Sequence, residues 1–148
     1  MKRMERKLSK RLNDIVLALP LYEGIRVLEI GCGPGAMARE IAKHVGSGYI
    51  LAIDRSAKAI QQAIKSSQQE LGTGKLSFKQ IAVERFVPDS DTELFDIAVA
   101  IRVGAFDGRH PEIEKQSLKN IAKYLKNGGR FFIDGGDPIK EIKLDDYK

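Results

Sequence analysis

The 148-residue chain has a single cysteine, Cys32, and two histidines, His44 and His110. One cysteine excludes an internal disulfide and a cysteine-cluster zinc site, and no other metal-ligating cluster stands out. No apolar run approaches the length of a membrane span. The run Ile15–Leu19 is short and stops at Pro20, and the charged residues before it make a poor signal peptide. These absences lead us to expect a cytoplasmic protein with no membrane partner. Internal repeats, low-complexity segments and an obvious catalytic triad are missing as well.

What is present suits one α/β domain. Hydrophobic residues make up 43% of the chain, enough for a core, and charged residues 30%, which fits a hydrated surface. A net charge of +5 and a pI of about 9.3 permit contact with nucleic acid or anionic substrates without requiring it. Six basic residues fall within positions 2–11: Lys2, Arg3, Arg6, Lys7, Lys10 and Arg11. Leu8, Leu12, Ile15, Val16 and Leu19 recur at helical spacing. Residues 1–21 therefore read as a basic amphipathic helix, either a lid facing RNA or substrate, or a helix packed by its apolar stripe with a solvated basic face.

The organising stretch is Val27-Leu28-Glu29-Ile30-Gly31-Cys32-Gly33-Pro34-Gly35, an apolar strand that breaks into alternate glycines before the helix former Ala36–Ala42. Strand, glycine turn and helix build the nucleotide crevice of a doubly wound α/β domain. The glycines alone also fit the dinucleotide fingerprint. Glu29 argues against that reading, because a carboxylate at the strand's end repels a pyrophosphate and suits a ligand carrying an ammonium group. Tyr49–Asp54 forms a second strand ending in an acid, 23 residues beyond Gly31. That is close to the spacing of about 20 for a carboxylate that accepts both ribose hydroxyls. Ser56 is the better cap for the next helix, which leaves Asp54 for the ligand.

Further strands are expected at residues 75–82, 95–101 and 130–134, with helices running to about Val45, from Ser56 to Leu71, and from Pro111 to Leu125. The loop Arg102–His110 lies at the carboxyl end of the fourth strand, where the crevice rule puts the ligand's reacting end. Its Arg102 and Arg109 are candidate ligands for an anionic acceptor. His110 is the candidate base, weighed against an ordinary residue at a helix start. His44, at a helix end, reads as a favourable charge near the dipole.

The glycine turn resembles motif I of the class I S-adenosylmethionine-dependent methyltransferases. Phe95-Asp96 and the stretch Leu125–Ile133, with its Lys126-Asn127-Gly128-Gly129, resemble later landmarks of that family. The resemblance spans roughly residues 22–134. It implies a Rossmann-like, mostly parallel sheet of about five strands in the order 3-2-1-4-5, helices on both faces, and S-adenosyl-L-methionine as cofactor. It implies Glu29, Gly31, Cys32, Gly33 and Gly35 around the methionine part, Asp54 at the ribose, Arg55 as a further cofactor contact, and the adenine beside Ala82 and Val83. Cys32 carries no implied covalent role.

Two departures stand out. The family's adenine-binding acid is replaced by the run Gln80-Ile81-Ala82, which leaves the backbone of Ala82 and Val83, or a shifted Glu84, to hold the base. Only 14 residues follow Asp134, enough for a short edge strand but not for the family's C-terminal hairpin. An uncovered fifth strand would invite a homodimer. The loop after the fourth strand reads Ala100-Ile101-Arg102-Val103, without the Pro-Pro-aromatic sequence of amino-group nucleic-acid methyltransferases. These features imply a methyltransferase acting on a small molecule. RNA methylation and a non-catalytic cofactor-binding interaction domain remain as alternatives, and a dinucleotide oxidoreductase is the most distant.

Overall fold

The computed structural model describes residues 8–148. The basic residues Lys2, Arg3, Arg6 and Lys7 lie outside them. Helix α1 (Lys10–Ala18) starts at Ser9, whose hydroxyl accepts the Leu12 N–H at 3.2 Å. It stops two residues before Pro20. Its stripe of Ile15, Val16 and Leu19 is buried in the same core as the helix that follows the glycine turn.

The chain then alternates through β1 (Arg26–Ile30), α2 (Ala36–Ala42), β2 (Tyr49–Asp54), α3 (Ala57–Ser66), α4 (Gln68–Gly72) and β3 (Leu76–Gln80). After a 3-10 turn at Val83–Arg85 come β4 (Phe95–Ala100), a second 3-10 turn at Gly104–Phe106, α5 (Pro111–Tyr124), β5 (Leu125–Asp134) and β6 (Ile139–Ile142). The sheet runs β3-β2-β1-β4-β5-β6, parallel except for β6. β1 is central because it is apolar on both faces. Val27 faces α1 and α2, whereas Leu28 and Ile30 face α5.

The expected order 3-2-1-4-5 is present with one strand added. Ile139–Ile142 pairs antiparallel with Phe131–Asp134, so the strand count is six. β5 is therefore not an edge, and the expected homodimer through a bare fifth strand has no free ladder to use. The exposed ladder belongs to β6, four residues long and carrying Lys140 and Glu141. Other boundaries shift because neighbours decide them. α2 ends at Ala42 rather than Val45, yet Val45 is still fully buried. α5 stops at Tyr124, and Leu125 instead pairs with Phe95 as the first residue of β5. β3 is two residues shorter than expected at its carboxyl end and sits at the sheet's other edge, as its polar alternation implies.

Candidate active site

The glycine turn is pinned to β2 by three bonds. The N–H groups of Gly31 and Cys32 both donate to Ile53 O, at 2.8 and 3.0 Å. The Gly33 N–H donates to Asp54 Oδ2 at 2.8 Å. The other oxygen of Asp54 accepts the Ser56 N–H at 2.9 Å, while Ser56 caps α3 through the Ala59 N–H. Asp54 thus has a structural task that its place in the sequence does not reveal. Each carboxylate oxygen carries two lone pairs, so both can accept a further bond from a ligand hydroxyl.

Two of the glycines are required by their surroundings. Gly31 has φ +72°, and a Cβ there would meet Val103 Cγ2 at 2.6 Å. Gly35 has φ +88°, and a Cβ would press on Phe78 and Arg39. Arg39, in the middle of the short helix α2, donates to Pro34 O at 2.9 Å and Ser67 Oγ at 3.0 Å. It thereby ties the turn to the start of α4.

Glu29 is 3% exposed, and its Oε1 has no hydrogen-bond partner among the described residues. Burial, and then the Asp54 charge, push its carboxyl up to about 8, with Arg39 pulling weakly the other way. A buried carboxyl without a partner costs stability, so it is a candidate for meeting a cation from outside the chain. Cys32 is buried beside it. Desolvation, Glu29 and Asp54 all push its thiol far up, so it is no nucleophile.

A second part of the site lies at the carboxyl ends of β2 and β3. An open depression of about 380 Å³ is lined there by Arg55, Gln80, Ile81, Ala82, Glu84 and Arg85. Ala82, expected beside the adenine, and Arg55, expected as a cofactor contact, line it, and so does Glu84. Val83 does not. Its side chain is buried, and its carbonyl accepts the Asn120 amide at 2.9 Å. That carbonyl also accepts the Phe86 N–H at 3.1 Å, so the expected backbone contact would rest on the Val83 N–H. Asn120 is itself buried and held by Gln116 at 2.9 Å. Phe86 stacks on Tyr124 at 4.1 Å, which fixes the turn from the other side. Sequence reasoning missed Asn120, because an Asn in an amphipathic helix gives no sign of a partner 37 residues away.

The loop beyond β4 divides its three candidates. The Arg109 guanidinium is folded back onto Asp107, with Nε at 2.7 Å and Nη2 at 2.6 Å from Oδ2. Arg109 is thus already paired, and it is not the free anion ligand expected. Arg102 is exposed, and its side chain has no hydrogen-bond or salt-bridge partner among the described residues. Its backbone sits at φ +58°, the only non-glycine residue described with positive φ. His110 is exposed at the N-cap of α5 and makes no side-chain cap bond. His44 lies just past the end of α2, with its Nε2 3.4 Å from Glu40 Oε1. Among the described residues, no group of three or more His, Cys, Asp or Glu side chains could hold a metal. No helix there is long and apolar enough to cross a membrane.

A glycine turn on a central parallel strand, with an acid closing it from the next strand, defines a nucleotide-crevice domain of the Rossmann-like kind. Residues 21–146 match the family described as methyltransferase domain. The chain belongs to the class I S-adenosylmethionine-dependent methyltransferase family. It is 27% identical over 131 residues to a mitochondrial ubiquinone biosynthesis O-methyltransferase of Dictyostelium discoideum, covering 84% of this chain and 39% of that one. It is 33% identical over 114 residues to a sterol 24-C-methyltransferase of Aspergillus fumigatus, covering 76% of this chain and 28% of that one. The chain thus spans well under half of these two relatives. Among solved structures, a methyltransferase from Thiobacillus denitrificans in complex with S-adenosyl-L-homocysteine superposes with a TM-score of 0.66 at 24% identity. That match covers 85% of this chain and 48% of the other. A phosphoethanolamine N-methyltransferase of Haemonchus contortus gives 0.71 at 17% identity, covering 86% and 26%. These likenesses show the fold.

Proposed function

We propose that this domain binds S-adenosylmethionine at the carboxyl ends of β1–β3 and methylates a small-molecule acceptor brought to the loop after β4. The observation that carries the reading is the buried, unpartnered carboxyl of Glu29 beside the glycine turn. It fits the ammonium of an amino acid moiety and does not fit a pyrophosphate. The relatives named for ubiquinone biosynthesis and for sterol methylation support a small-molecule acceptor.

Bound, the cofactor supplies a methyl group already activated by a sulfonium. The chain's own residues then have three tasks. Glu29 holds the ammonium, Asp54 accepts the ribose hydroxyls, and Arg55, Ala82 and Glu84 border the base. The Gly31–Gly35 turn lets the ligand approach the backbone without side chains in the way. The loop after β4 aligns the acceptor, since orientation is the main demand of this transfer. Arg102 is available to an anionic acceptor, and His110 can take a proton from a hydroxyl or ammonium acceptor. The RNA reading is weakened in the described part of the basic helix. Lys10 pairs with Asp14 and Arg11 with Asp134.

Calorimetric titration with S-adenosylmethionine, beside NAD and with the D54A variant as control, tests the reading. Binding of S-adenosylmethionine that is lost in D54A, with no binding of NAD, is the expected result. Absence of binding by the wild-type chain would refute it.

A further inference from the structure

Arg102 breaks a rule that every other described non-glycine residue obeys. It occupies the left-handed region, at φ +58°, with a full side chain. Such a conformation persists where the surroundings impose it, and at a binding cleft it is a sign of function. The imposing group is visible. Asp134, the last residue of β5, accepts the Arg102 N–H through Oδ1 at 3.2 Å. Its Oδ2 takes the Arg11 guanidinium of α1 at 3.1 Å. One carboxylate therefore joins the N-terminal helix, the end of β5 and the loop after β4.

The consequence lies one residue on. The left-handed turn at Arg102 directs Val103 back across β1, where its Cγ2 fills the space beside Gly31 that any larger residue would need. Val103 is half-buried and packs against the core on the α5 side. The chain of contacts runs from Arg11 to Asp134, to the Arg102 backbone, to Val103, and so to the first glycine of the cofactor turn. Among the described residues, Asp134 makes no hydrogen bond or salt bridge to those assigned to the cofactor, and it meets the acceptor side only through the Arg102 backbone.

We propose that Asp134 is a positioning residue for the cofactor cleft, holding Arg102 in its left-handed turn and thereby Val103 against Gly31, with Arg11 anchoring α1 to the same carboxylate. The proposal rests on the methyltransferase reading for its ligand, but not for its geometry. If the carboxylate's task is to impose the backbone conformation, glycine at position 102 makes it dispensable, because glycine adopts positive φ without steric conflict. A merely structural surface ion pair behaves otherwise. Its loss changes stability slightly, and no glycine elsewhere repairs it.

The test compares wild type, D134A, R102G and D134A/R102G in two ways. Calorimetry gives the affinity for S-adenosylhomocysteine, and nuclear magnetic resonance of the free protein follows the Val103 methyls and the Gly31 amide. D134A should weaken the affinity roughly tenfold, and the double variant should return to within roughly threefold of wild type. The Val103 and Gly31 resonances should move in D134A and return in the double variant, whatever the melting temperatures do. Unchanged affinity in D134A, or no recovery in the double variant, overturns the proposal. If the wild type does not bind S-adenosylhomocysteine while the resonances behave as described, the methyltransferase reading falls and the Asp134 relay stands.

Discussion

Asp54 Oδ2 accepts the Gly33 N–H at 2.8 Å, so the acid that ends β2 is also a strut of the glycine turn after β1. The residue proposed for the ribose thus also shapes the turn proposed to hold the methionine part. Its second oxygen is bonded to Ser56 N, at the start of α3. D54A therefore removes two acceptors at once. We expect a loss of about 1–2 kcal/mol in stability by urea denaturation, with S-adenosylmethionine binding abolished. D54N keeps an acceptor on one side only and turns an amide N–H toward a backbone donor, so it should be no better for binding. R55A, at an exposed position, should leave stability unchanged.

Glu29 makes stability depend on pH in an unusual direction. Its carboxyl is raised from 4.5 to about 8, first by burial and then by Asp54. Between those values the folded chain keeps a proton that the unfolded chain has released. Stability then falls as pH rises, and the contribution held at pH 4 is lost by pH 8. Integrated over the interval, the effect is on the order of 5 kcal/mol. E29Q removes it. In urea denaturation from pH 5 to 8.5, the wild type should weaken steadily relative to E29Q, and E29Q should be the more stable protein at pH 8. E29Q should nevertheless lose S-adenosylmethionine, because a neutral amide cannot pair with an ammonium.

Cys32 gives a prediction of inertness. Its thiol is buried, and desolvation together with two acidic neighbours pushes it well above the ordinary range. Iodoacetamide at pH 8 should label it at least roughly 100-fold more slowly in the native protein than in urea. C32S should bind S-adenosylmethionine as the wild type does. Rapid native labelling, followed by mass spectrometry, would contradict this account of the turn.

β6 gives a prediction about association. Its four residues cover the ladder of Phe131–Asp134, and Leu144 beyond it is buried against the α5-side core. A chain stopped after Gly136 would expose an apolar parallel strand as an edge. It should elute as oligomers on gel filtration and aggregate on warming, whereas the chain that retains β6 should not pair through β5.

Local pattern carried the order of the elements. Period-two and continuous apolar runs marked β1, β2 and β4, and helical spacing marked α1, α3 and α5. The glycine turn and Asp54 located the crevice, because backbone freedom and a strand-end acid are written into residue type and spacing. Whatever depended on contact between distant segments was not legible. Glu29 becomes an unpartnered buried acid only because the turn and β2 close over it. Asp134 acquires its role only when α1 comes within reach, 123 residues away along the chain. Asn120 reaches Val83 only once α5 packs on the 3-10 turn. Arg109, promising as a free cation, is neutralised by a rotamer that turns it onto Asp107. Ile139–Ile142, short and charged, is a strand only because β5 offers it a ladder. Composition and spacing set which elements form and where the cleft opens. Tertiary packing decided which charges are paired and which carboxyl is left without a partner, because desolvation and hydrogen-bond satisfaction belong to the assembled fold.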